Sequence, residues 1–176
     1  MMKNFMKRFP LLMTLAALMI LAGCNKEDDE PMLRSMAFDY SFNEGQLVGP
    51  ATAYDGEHPR NLSARMEVME MPNGTAKIMV TLNNTLPGQM YMIHSHDMAD
   101  PESTPNGTPY NEAPNANVLV EMVTPQGTSA TVEHNSTLTY DELLQNYDGF
   151  LVVHDPTQDL STVDLTTYLI LGVVAR

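Results

Sequence analysis

Apolar and polar positions alternate with a period of two along most of the chain beyond residue 35, the spacing of strands that bury one face. Met36, Phe38, Tyr40 and Phe42 mark a first strand, and Gln46 to Tyr54 a weaker second one, interrupted at Gly49-Pro50. Leu62, Ala64, Met66 and Val68 alternate with Ser63, Arg65 and Glu67, and the turn Met71-Pro72-Asn73-Gly74 leads into Thr75 to Leu82, which predicts a hairpin. Gln89 to Asp97, Val118 to Val123, Ser129 to Glu133, Gly149 to Asp155 and Thr167 to Ala175 supply further strands, separated by turns such as Asn83 to Gly88 and Pro125-Gln126-Gly127. Thr139 and Glu142 have capping-box spacing ahead of Leu143-Leu144 and predict one short helix of about two turns. Between Ala99 and Asn117, Pro101, Pro105, Pro109 and Pro114 exclude a helix or a central strand and predict one long irregular loop, of a length that in compact domains tends to carry function. The expected fold is all-β, an antiparallel sandwich or flattened barrel of about eight strands.

The first residues break this pattern. Lys3, Lys7 and Arg8 precede an apolar run from Leu11 to Ile20, too short for an ordinary transmembrane helix, and Leu21-Ala22-Gly23-Cys24 follows. Residues 1–23 read as a secretory signal, and Leu21-Ala22-Gly23-Cys24 resembles the cleavage site of bacterial lipoproteins, which implies that Cys24 becomes the lipidated first residue. Residues 24–35, with Glu27, Asp28, Asp29, Glu30 and Pro31, form an acidic solvated tether, leaving 36–176 as the β domain. An acidic run directly after the cysteine also resembles the export tags of surface lipoproteins. The expected location is the cell envelope, at the outer membrane, either periplasmic or surface-exposed.

Composition sharpens this at two points. Cys24 is the single cysteine, so its acylation leaves no thiol for a disulfide, a thiolate metal site or a nucleophile. Nine Lys and Arg against 22 Asp and Glu give a net charge of −13, and cleavage of the signal would remove only cations. Such a surface repels nucleic acid and anionic headgroups, so membrane attachment falls to the lipid on Cys24. No serine stands in a nucleophile-elbow context, which leaves Ser-His-Asp chemistry without support.

The candidate chemistry lies in the histidines. In an extended strand Met90, Met92, His94 and His96 share one side and Tyr91, Ile93 and Ser95 the other, with the two imidazoles about 7 Å apart at Cβ and able to lean onto one ion. Gly149 to Asp155 is another strand-like run, and it carries His154 near its end. Neutral imidazoles suit Cu(II), Zn(II) or Ni(II), and three of them without a thiolate leave an open position; copper is favoured by the Irving–Williams order and is accessible outside the cytoplasm. The expected cofactor is one copper ion held by His94, His96 and His154. Methionines cluster between Met66 and Met98, where they either fill an irregular core or add soft ligands for Cu(I). His58 and His134 occupy turn-like positions and are expected to be exposed.

Met92-Ile93-His94-Ser95-His96, the loop after it, Gly149-Phe150-Leu151-Val152-Val153-His154-Asp155 and the terminal Tyr168-Leu169-Ile170-Leu171-Gly172-Val173-Val174 resemble the Cu,Zn superoxide dismutase family, which carries a His-x-His strand, a long metal-binding loop, a Val-Val-His strand end and a Gly-Val terminal strand in this order. The resemblance covers about Ala51 to Ala175. It implies a Greek-key β-barrel, His94, His96 and His154 at three copper-ligand positions, and superoxide as substrate. The departures limit what it carries over. Asp97 to Val132 holds no histidine, so the family's bridging histidine and zinc set have no counterpart and no zinc site is expected; Asp97, Asp100, Glu102 and Glu112 offer only a weak site for a hard cation. Leu171 replaces the disulfide cysteine and Tyr168 the anion-guiding arginine. Copper binding with weak dismutation at most is what remains. A second resemblance, to CHRD domains, rests on Leu86-Pro87-Gly88 ahead of the His94 strand and implies a non-catalytic binding module; copper storage or relay on the cell envelope belongs to the same alternative.

Overall fold

Eight strands form: β1 (Ser35–Tyr40), β2 (Ser63–Glu70), β3 (Thr75–Asn83), β4 (Tyr91–Asp97), β5 (Val120–Val123), β6 (Ser129–Thr139), β7 (Gly149–His154) and β8 (Tyr168–Val173), close to the expected stretches except that β6 continues past Glu133, its expected end. The computed structural model describes residues 32–44, 53–104, 107–161 and 163–175. The expected signal over 1–23, Cys24 and the acidic run after it lie outside the described residues, as does most of the strand expected from Gln46 to Tyr54; Tyr54 itself is not in a strand.

All pairings are antiparallel, in two four-stranded sheets ordered β1-β2-β3-β6 and β5-β4-β7-β8. β3 pairs with β6 while β4 pairs with β7, so the chain crosses between sheets in the Greek-key manner. The sheets remain separate, which makes the architecture a sandwich and not a closed barrel. The β2–β3 hairpin carries the alternation into the core: Ala64, Met66 and Val68 stand beside Leu82, Val80 and Ile78 in register, all buried. Its turn ends on Gly74 at φ +84°, a backbone conformation that costs glycine nothing. Tyr91, Ile93, Leu151 and Val153 meet this hairpin from the facing sheet.

β7 is buried at every position, a different pattern from the hairpin. Leu151 and Val153 point into the main core, whereas Phe150 and Val152 join Tyr110, Tyr168 and Leu171 in a second apolar cluster on the outer face of the sheet. The long loop supplies Tyr110 to that face. Its backbone extends the edge of β4, with Asn111 N–H donating to the Asp97 carbonyl at 2.9 Å and Asn115 N–H to the Ser95 carbonyl at 2.8 Å. The loop is therefore a roof over one end of the sheet.

The expected two-turn helix is a single π turn, Glu142–Asn146, because Tyr147 is already extended on its way into β7. The capping box nonetheless forms: the Glu142 carboxylate accepts from Thr139 N–H and Oγ1 at 2.9 and 2.8 Å, and Glu142 N–H donates to Thr139 Oγ1 at 3.2 Å. A 3₁₀ turn, Leu165–Thr167, precedes β8.

Candidate metal centre

β4 and β7 are neighbours with Ile93 opposite Val153 and His94 opposite Val152. This register puts His94 and His96 on the outer face of the sheet and sets His154, one step past Val153 at the end of β7, diagonally across from His94. Their ring nitrogens meet. His154 Nε2 lies 2.8 Å from His94 Nε2, and His96 Nε2 lies 3.2 Å from the same atom. The nitrogens of two imidazoles sharing one ion at about 2 Å each stand about 3 Å apart, so the spacing already matches that of shared ligands. As they stand the three nitrogens touch in a row centred on His94, and among the described residues no group of three or more His, Cys, Asp or Glu surrounds an ion-sized centre. Accepting an ion therefore requires the rings to spread slightly around a common point.

All three rings are buried, His94 at 1%, His96 at 0% and His154 at 3% exposure. Burial, followed by the neighbouring imidazoles His154 and His96, pushes His94 down to about 3; burial and His96 push His154 down to about 4. Burial lowers His96 as well, against the opposing pull of the Asn111 and Ala113 backbone. The rings are thus neutral at physiological pH, the form that carries a lone pair for a metal.

The hydrogen positions follow from the partners. His96 Nδ1 lies 2.7 Å from the Asn111 carbonyl, which can only accept, so Nδ1 carries the proton and Nε2 presents its lone pair to His94. A single proton on His94 Nε2 then serves both flanking nitrogens. Nδ1 of His94 and of His154 are buried with no hydrogen-bond partner. Three inward Nε2 atoms with one proton between them, on rings of which two have orphaned nitrogens, are a costly way to fill a core and a natural donor set for a soft or borderline cation.

Two tyrosines close the site. Tyr110, delivered by the loop, lies over His96 at 4.7 Å between ring centroids, and Tyr168 meets His154 edge-on at 4.6 Å. Tyr110 O–H donates to Tyr168 Oη at 3.1 Å, and burial pushes Tyr110 up to about 12. Among the described residues, all three imidazoles lie buried beneath these two rings. Tyr110 was not legible in the sequence because Pro109-Tyr110-Asn111 has no periodic context; Tyr168 was visible only through the resemblance.

A second buried network holds the turn after His154. Asp155 accepts from Tyr54 O–H, from Thr157 N–H and Oγ1 at 2.9 and 2.7 Å, and from Gln158 Nε2 at 3.0 Å. Burial opposes its ionisation, yet these donors hold the carboxyl below the usual carboxylate range. Tyr54 Oη accepts from His58 N–H at 2.9 Å, and His58 Nε2 pairs with Tyr91 Oη at 2.7 Å. His58, expected to be exposed, is buried in this network, because its loop packs Tyr54 and Phe42 together. His134 is also not free: it lies within β6, half-buried, paired with Glu121 at 2.9 Å. Neither reaches the three-histidine cluster. Asp97, weighed above for a hard cation, accepts from Asn115 Nδ2 at 2.6 Å.

Set against known proteins, the chain matches no family model, no curated protein and no solved structure.

Proposed function

We propose that this chain is a cell-envelope lipoprotein, anchored through Cys24 at the outer membrane, whose sandwich binds one copper ion through His94, His96 and His154. The observation that carries the reading is the meeting of three buried, neutral imidazole Nε2 atoms around His94, with two ring nitrogens left unpartnered. The resemblance to Cu,Zn superoxide dismutases points to the same three residues.

The residues would divide the work as follows. His96 is fixed by the Asn111 carbonyl, which sets its tautomer and aims Nε2 inward. His154 is held by the turn that Asp155 anchors, and its ring is wedged by Tyr168. His94, without a partner on Nδ1, is free to turn its ring and admit the ion. Tyr110 and Tyr168 exclude water. Bound copper would supply a one-electron redox centre.

Enclosure favours holding or relaying the ion over dismuting superoxide, because the donors face tyrosines and not a channel. Metal analysis of the purified protein, with electron paramagnetic resonance for nitrogen ligation, tests this. One copper per chain with nitrogen hyperfine structure is expected, and His96→Ala should weaken binding by roughly two orders of magnitude or more. Copper uptake unchanged in His96→Ala sinks the reading.

A further inference from the structure

Of the chain's methionines, Met66 fills the main core, whereas Met90 and Met122 are exposed at 55% and 56%, with Met92 half-buried. Filling an irregular core explains the first and not the other three, nor Met32, Met36 and Met98, which are also exposed; what sets the three apart is where they stand. Their placement is specific. β4 and β5 pair with Met92 directly opposite Met122, which sets two facing side chains about 4.5–5.5 Å apart at Cβ. Met90 stands just before β4, exposed at 55% where its neighbour Tyr91 is buried in the core.

That side is the histidine side. Tyr91 and Ile93 point into the core between the sheets, so Met92 shares the outer face with His94 and His96. Ile93 lies opposite Val153, so Met92, one step earlier on β4, comes level with His154, one step later on β7. Three thioethers thus stand at the solvent rim of the face whose interior holds three imidazoles.

We propose that Met90, Met92 and Met122 form a surface site for Cu(I) through which the buried histidines are loaded. Neutral thioethers are soft donors that select Cu(I), or Ag(I), over hard and divalent cations. The net charge of −13 concentrates cations at the surface. In loading, Cu–S bonds break as Cu–Nε2 bonds form and the ion stays Cu(I); the proton on His94 Nε2 is released to solvent water and Nδ1, which has no protein partner, takes one up, so the ring stays neutral. No external oxidant or reductant is needed. The loading step rests on the copper reading of the histidines, and the thioether site does not.

The full-length protein in detergent is titrated with Ag(I) while methionine ε-methyl resonances are followed, and anaerobically with Cu(I) against a chromophoric chelator. The first equivalent of Ag(I) should shift the methyls of Met90, Met92 and Met122 and leave Met66 in place. The double variant Met92→Leu, Met122→Leu should weaken Cu(I) binding at this site by about tenfold or more and slow loading of the histidines, with Cu(II) affinity at equilibrium unchanged. The shifts should persist in His94→Ala, His96→Ala. Absent shifts, shifts spread over all methionines, or unchanged Cu(I) affinity in the leucine variant overturn the proposal. Methyl shifts confined to the three residues in a protein that takes up no copper on its histidines leave the thioether site standing and remove the loading step together with the histidine reading.

Discussion

A buried imidazole that stays neutral makes folding sensitive to acid. In the unfolded chain a histidine titrates near 6.5, whereas His94 and His154 resist protonation down to about 3 and 4 in the fold. Between these values the unfolded state binds more protons, so stability is full above pH 6.5 and falls as the pH drops below it, by about 1.4 kcal/mol per pH unit for each excess proton. Urea unfolding of the metal-free protein at pH 7.5 and pH 5 should show this loss, and equal midpoints would mean that the rings are solvated. Tyr168 illustrates a second consequence of burial. It stands where the resemblance places a guiding arginine, yet it is wholly buried against His154 and Tyr110. Tyr168→Arg should therefore destabilise the fold by roughly 2–5 kcal/mol, measured by denaturant midpoint, instead of creating an anion funnel. An arginine variant of unchanged stability would show that this face opens to water.

At the scale of elements, the site depends on how tightly β7 approaches β4. Gly149 opens β7 opposite Asp97, and a Cβ there would stand 2.6 Å from the His96 carbonyl oxygen and run into the Tyr147 ring. Gly149→Ala should cost about 1–3 kcal/mol and weaken metal binding by displacing His96, with thermal unfolding and copper affinity as the two readouts. Loss of stability alone, with copper affinity intact, would detach this strand contact from the site. Alternation made β2 and β3 legible, since each buries one face. The unbroken apolar run of β7 showed a strand without showing why both its faces are dry; the reason is the loop carrying Tyr110, whose position depends on contacts with distant residues. The histidine trio was legible because two residues of spacing in β4 and a histidine at the end of β7 are local signals. The Tyr54, Asp155, His58 and Tyr91 network was not, because its members come from three separate stretches and no period links them. The helix was overread for a related reason: the capping box specifies where a turn begins, and the short path into β7 decides where it stops.

On the scale of the whole molecule, charge and enclosure decide what the proposed copper can do. With a net charge of −13 the chain has little electrostatic affinity for an anionic bilayer, so the proposed anchor must be the lipid on Cys24. Cys24→Ser should move the protein from the membrane to the soluble fraction with unchanged circular dichroism; membrane retention in that variant would refute the lipobox assignment. The same charge acts on superoxide. An anion approaching 22 acidic residues is repelled, and the three histidines, at 1%, 0% and 3% exposure, offer it no path to the metal. The copper-loaded protein should dismute superoxide orders of magnitude below the diffusion ceiling of about 10⁹ M⁻¹s⁻¹, and what rate it has should rise with added salt as the like-charge repulsion is screened. Pulse radiolysis across a range of ionic strengths measures both. A rate near the ceiling, falling or flat with salt, would require the Tyr110 roof to swing open and a local positive field to outweigh the overall charge, and it would make the protein an enzyme in place of the copper carrier proposed above.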